Sequence, residues 1–187
     1  MLHEAKRVGI DRIVCTPHCR SSHFDPRKIA AAYRALEPRA QQLGIELIQG
    51  YEVHWRKLAD IGVAGAARYC FAGTNMMLLE FSSDSMPTNW QVVLNNLARE
   101  GIKVIIAHPE RYIDVQKNHE IVAEMKNLGC MLQVSANFVE GGLLDKRKRC
   151  AIALMKEGLV NCIASDAHRP DQYATFAKAL DLARKYM

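Results

Sequence analysis

What most limits the fold is an alternation that runs from one end of the chain to the other. Short apolar, β-branched runs stand at residues 12–16 (RIVCT), 46–50 (ELIQG), 76–81 (MMLLEF), 103–108 (KVIIAH), 131–135 (MLQVS) and 160–165 (VNCIAS), and segments of helical period separate them. Runs that are apolar at consecutive positions suit strands covered on both faces, and repeated strand-then-helix units build a parallel sheet. Helices are expected over 26–43, 88–100, 117–128, 146–157 and 172–186. The first of these opens with Asp25 as N-cap and Pro26 at the first helical position. Gly44, Gly101, Gly129 and Gly158 stand where helices should stop, as left-handed terminators. Met1–Val8 reads as the last turns of a further helix, closed by Gly9.

A chain of 187 residues suits one domain with a sizeable core, so a single domain over 1–187 is expected. No stretch is long and apolar enough to span a bilayer and none has the succession of a signal peptide, which predicts a cytoplasmic protein without membrane insertion. The six cysteines, Cys15, Cys19, Cys70, Cys130, Cys150 and Cys162, include no CxxC pair, and several sit in apolar runs where a thiol acts as a small hydrophobe. Redox and zinc-knuckle functions are therefore disfavoured. The net charge of +5 suits an anionic substrate, although DKRKRC at 145–150 supplies much of it and reads as a solvated helix start. Aromatic residues do not interleave with the basic ones, so no nucleic-acid partner is expected.

Polar residues gather at the C-terminal ends of the predicted strands. CTPH places His18 there, QGYE Glu52, LLEF Glu80, IIAHPER His108 with Arg111, and IASDAH Asp166 with His168. Functional groups drawn from the ends of several strands are the arrangement of (β/α) barrels, whereas an open doubly wound sheet concentrates them at one switch point. Each residue alone has an ordinary reading: a hydrogen-bonded histidine, a carboxylate in a rim ion pair, or a helix cap. Three His, two Glu and one Asp recurring at equivalent strand ends make a metal-binding set the better account. Asp166 and His168, two apart on an extended segment, would project to one face and reach a common point.

Imidazole and carboxylate donors without thiolate suit Mn, Fe or Zn. Six ligands are too many for one catalytic ion and enough for two sharing a carboxylate, for which Glu80 is the candidate bridge. Arg111 could hold two phosphoryl oxygens at once, its alternative being an ion pair with Glu110 or Asp114; Arg169 is a second, weaker phosphate candidate. His3, His23, His54 and His119 read as surface or locally bonded, the alternative for His23 or His54 being to help shape a substrate mouth. HCRSSHFDPR superficially matches a cysteine-phosphatase loop, but no cysteine here has an Arg six positions later. Phosphomonoester hydrolysis by metal-activated water, with no covalent intermediate, fits these residues.

TPH, LLEF, AHPER and ASDAH, in this order and spacing, resemble the polymerase-and-histidinol-phosphatase (PHP) superfamily, most closely its capsular and exopolysaccharide tyrosine phosphatases of the CpsB and YwqE type. The resemblance spans nearly the whole chain. It implies a distorted (β/α)7 TIM-like barrel, a Mn centre of two or three ions, and dephosphorylation of the tyrosine autokinase that controls polysaccharide export. It puts His18, Glu52, Glu80, His108, Asp166 and His168 on metal-ligand positions and Arg111 on the phosphate contact. The family opens with a strand carrying a His-x-His pair, whereas this chain starts inside the following helix and stops before the usual closing segment. The expectation is thus a barrel lacking its first strand and C-terminal segment, weakly active and prone to form homo-oligomers through open edges. The rival readings are a histidinol-phosphatase-like enzyme acting on a small phosphate ester, and a non-catalytic regulator that has lost metal ligands.

Overall fold

The computed structural model describes residues 1–20 and 24–186. Its strands are β1 (Arg12–Cys15), β2 (His18–Cys19), β3 (Glu46–Gln49), β4 (Glu52–His54), β5 (Met76–Glu80), β6 (Lys103–Ala107), β7 (Met131–Ser135) and β8 (Cys162–Ala164). All pair in parallel, in the order β2-β4-β5-β6-β7-β8, with β1 against β3. The β1–β3 pair continues the same two lines of chain. Pro17 interrupts the first line because it has no N–H to give to a ladder. Across the break the Gly50 N–H donates to the Cys15 carbonyl at 2.9 Å and the Glu52 N–H to that of Pro17 at 3.1 Å. Gly50 is needed there, since a Cβ would stand 2.6 Å from the Phe71 ring.

Each strand line therefore lies beside the one before it in sequence, as repeated strand–helix units require. The helices follow the sequence pattern. α1 covers Leu2–Arg7 and α2 Pro26–Gln42, where the Asp25 side chain accepts from the Arg27 N–H at 2.9 Å. α3 (Trp55–Ile61) was not foreseen. α4 (Trp90–Arg99), α7 (Lys146–Lys156) and α8 (Gln172–Ala183) match expectation to within a few residues. The helix expected over 117–128 is α6 (Glu120–Asn127); a further short helix, α5 (Ile113–Lys117), precedes it and is separated from it at Asn118, whose extended backbone breaks the helical path. Gly9, Gly44, Gly101, Gly129 and Gly158 all take positive φ.

A closed barrel is not found. β2 and β8 remain the two edges of the six-stranded sheet, and among the described residues no strand pairing joins them. β8 is three residues long, and at Asp166 the backbone turns into the left-handed region, away from the strand direction. The sheet nevertheless curves far enough to bring its edges together. The rings of His18, on β2, and His168, beyond β8, stack with centroids 5.7 Å apart, and Tyr173 of α8 packs with Leu47, Ile13 and Cys15 of the β1–β3 pair.

The strand alternation sorts the core into two sides. Met77, Leu79, Ile106, Leu132 and Val134 face the helices in the main cluster, while Leu78, Ile105 and Ala107 form a smaller one on the inner face. Glu80 follows Leu78 by two residues, and Glu52 is in register with Leu78, so both carboxylates share that inner face at the C-terminal end. Buried Tyr112 fixes the two central strand ends to each other: its hydroxyl donates to the Ala107 carbonyl at 2.6 Å and accepts from the Phe81 N–H at 3.0 Å. Tyr112→Phe would leave both backbone groups unsatisfied, so urea unfolding should show a loss of about 2 kcal/mol, with the m-value unchanged.

Candidate metal centre

His18, Glu52 and Glu80 converge although they come from β2, β4 and β5. One donor atom from each lies within 4.8 Å of the others. Glu52, only 4% exposed, is the hub. Its Oε1 lies 3.1 Å from His18 Nδ1 and 3.5 Å from His108 Nε2. Burial opposes ionisation of Glu52, but the hydrogen bonds and positive charge of His108 and His18 overcome it and hold the carboxyl well below the usual range. The hydrogen bond to Glu52 in turn raises the pKa of His18 against the opposing effect of burial.

His108 joins the group through its backbone. On β6, Ile105 and Ala107 face inward, so the next residue in an extended chain would face the helices. His108 instead takes φ 35°, and its Nε2 comes within 3.6 Å of Glu80 as well as close to Glu52. Its Nδ1 is buried without a partner. Glu80 is also held by Arg20, whose guanidinium donates to both carboxylate oxygens at 2.7–3.1 Å.

Asp166 lies apart from this cluster. Like His108 it has positive φ, 46°, and these are the only two such non-glycine residues among those described. The extended segment expected to align Asp166 with His168 is therefore absent, because β8 ends at Ala164. Asp166 pairs with Arg111 Nη2, and the Ser135 hydroxyl donates to the same carboxylate at 3.0 Å. Arg111 also donates to Ser135 Oγ at 2.9 Å; the alternative ion pair with Glu110 or Asp114 is not formed, and its Nε is buried without a partner. His168 Nδ1 is 2.9 Å from the backbone oxygen of Asp166, and its side chain is largely exposed. Arg169 pairs with Asp171 on the surface, away from the cluster.

Several supporting residues escaped the sequence reading. Arg20 alternates with His18, the same spacing that singled out Asp166 and His168, and Ser135 closes β7 as the other polar groups close theirs. Glu110, 1% exposed, accepts from the Ser135 N–H at 3.1 Å, and burial pushes its carboxyl up to about 7. His54 closes β4 and caps α3; its Nε2 lies 3.3 Å from Ser82 Oγ. His119 is bound to Glu157, and His23 lies outside the described residues.

The donor set fits a divalent cation on two counts. Its atoms are nitrogen and carboxylate oxygen, and it converges from separate strands. Elemental analysis of protein dialysed against Mn should find Glu80→Ala losing more than one equivalent of metal and His18→Ala retaining part of it. Wild-type content in Glu80→Ala would remove Glu80 from the ligand set.

A family model described as "Capsular polysaccharide synthesis, CpsB/CapC" matches residues 1–186. Among curated proteins, the tyrosine-protein phosphatase CpsB of Streptococcus pneumoniae is 28% identical over 204 residues, covering 100% of this chain and 81% of its own. The phosphatase of the same name from Streptococcus agalactiae serotype III is 29% identical over 192 residues (91% and 74%). The tyrosine-protein phosphatase YwqE of Bacillus subtilis is 24% identical over 172 residues (90% and 68%). A crystal structure from the pair YwqE of Bacillus subtilis and CpsB of Streptococcus pneumoniae, described as metal-dependent tyrosine phosphatases, has the same fold. It superposes with a TM-score of 0.81 at 22% identity, over 99% of this chain and 76% of that one.

Proposed function

The chain belongs to the CpsB/CapC family of capsular polysaccharide synthesis, and from that premise we propose that it is a metal-dependent protein-tyrosine phosphatase. The observation that carries this reading is the convergence of His18, Glu52 and Glu80, with His108 against both carboxylates, at the C-terminal end of a parallel sheet. His18, Glu52, Glu80, His108, Asp166 and His168 are proposed as the ligands of two or three ions, Mn foremost, with Glu80 bridging. Ions bound there would supply an acidified water and neutralise charge on the phosphoryl group.

The chain's own groups do the rest. Glu52, kept ionised by its two imidazoles, holds their rings in place. Arg111, whose Nη2 is anchored by Asp166 and Ser135, is proposed to present its guanidinium to a phosphoryl oxygen. That donor matters most where charge builds on the oxygens in the transition state. A tyrosine phenolate, with a pKa near 10, leaves with less protonation than a serine alkoxide would need. Arg169, tied to Asp171, is a secondary phosphate contact in this scheme.

A thiolate route finds no support. Burial pushes the Cys19 thiol up to about 11 and that of Cys150 to about 12, so neither is a nucleophile near neutrality. The proposed substrate is a phosphotyrosine-bearing protein, specifically the tyrosine autokinase that controls capsule or exopolysaccharide export. No helix among the described residues is long and apolar enough to cross a membrane, and we place the activity in the cytoplasm. The proposed architecture is that of a distorted (β/α)7 barrel, and the curved parallel sheet supports this reading.

Steady-state assays on a phosphotyrosine peptide with added Mn test this reading. Arg111→Ala should lower kcat by about 10²-fold, corresponding to about 3 kcal/mol of transition-state stabilisation, while Cys19→Ser should remain close to wild type. Equal damage from the two substitutions would return the mechanism to cysteine chemistry.

A further inference from the structure

From Arg111, which pairs with Asp166, a groove of about 1000 Å³ runs past Ser83 and Asp84 along α5 and one side of α7. Six cationic side chains line it: Arg111, Lys117, Lys146, Arg147, Arg149 and Lys156. Only two carboxylates do so, and one of them is already used, because Asp145 caps α7 by accepting from the Lys148 N–H at 2.8 Å. Lys148, on the same basic run, is turned away and donates to the Gly141 carbonyl at 2.9 Å. Among the described residues, the side chains of Lys117, Lys146, Arg147 and Arg149 make no ion pair or hydrogen bond. Concentrated, uncompensated positive charge in a concave surface attracts and holds anions.

The groove begins at Arg111, the residue proposed above to hold the phosphoryl group, so a chain seated there continues directly from a phosphotyrosine. We propose that this groove binds the acidic residues flanking the phosphotyrosine in a protein substrate, which makes it a specificity site; this rests on the phosphatase reading above. Its lining suits a polypeptide. Ile113 and Ile152 give the basic walls an apolar strip, and no Phe, Tyr or Trp lines the groove to stack a nucleobase; its one aromatic ring, His119, is held by Glu157. The exposed leucines 143 and 144, on the loop leading into α7, are the one feature that would suit a lipid surface instead, and the groove itself lies beyond them.

Fluorescence anisotropy with two labelled phosphotyrosine peptides, one flanked by glutamates and one by serines, tests the proposal without needing turnover. Arg147→Ala/Arg149→Ala should bind the glutamate-flanked peptide about tenfold more weakly and the serine-flanked one as wild type does. Added salt should erase the wild-type preference. Arg34→Ala/Arg39→Ala on α2 removes the same charge elsewhere and should change nothing. Equal losses on both peptides, an equal loss in the α2 control, or displacement of the acidic peptide by phosphatidylserine vesicles would overturn the groove assignment. An unphosphorylated glutamate-flanked peptide separates the two readings. If it binds with the same dependence on Arg147 and Arg149 while no phosphotyrosine peptide is hydrolysed, the groove stands and the phosphatase reading fails.

Discussion

Glu52 is a carboxylate almost wholly withdrawn from water, and the rest of the site is arranged around keeping it charged. A lone buried carboxylate would take up a proton rather than bear the cost of desolvation. Here two imidazoles prevent that, and they come from opposite directions: His18 from the neighbouring strand β2, and His108 from beyond β6, two strands away. Both can reach it only because the strands are in parallel register and the sheet bends inward. Removing the bend would separate the imidazoles and leave the charge unsupported, so fold and electrostatics stabilise each other at this point.

The other half of the site follows a different logic. Arg111, Ser135 and Asp166 form a hydrogen-bonded triangle resting on Glu110, which sits beneath Ser135 with one oxygen unpartnered. One half thus gathers nitrogen and carboxylate groups that could hold a cation, and the other holds a guanidinium, proposed above as the contact for an anion. Phosphate esters, whose oxygens bridge metal ions and arginines, suit such a divided site. The arrangement also shows why Ser135 matters without reacting: it fixes Arg111 and Asp166 relative to each other.

Much of this was legible in the chain. The strand runs, the glycine stops and the Asp25–Pro26 helix start appear where local chemistry placed them, because each depends on a few neighbouring residues. The convergence of His18, Glu52 and Glu80 was legible from their equivalent positions at strand ends. Arg20 and Ser135 obey the same positional rule and were passed over, since neither is a usual metal ligand. The relation between Asp166 and His168 could not be read, because it depends on a left-handed backbone at Asp166 that sequence alternation assumes away. The open edges agree with the incomplete barrel expected, but the sheet's curvature was not legible: apolar patterning specifies that strands pair, and how far the sheet bends depends on contacts distant in sequence, such as the stacked rings of His18 and His168.

The left-handed conformations of His108 and Asp166 set up a conflict for any programme of laboratory evolution on this scaffold. Histidine and aspartate tolerate that region better than most L-residues, yet any Cβ costs more there than none, and glycine would relax both positions. Screens for heat resistance alone would therefore enrich glycine or asparagine at 108 and 166, because stabilising changes are easy to find where a native backbone is strained. Each such gain would discard an imidazole or a carboxylate from the site. Libraries built on this chain should hold the two codons fixed, because a screen that reads only heat resistance gives no weight to what these side chains do at the strand ends.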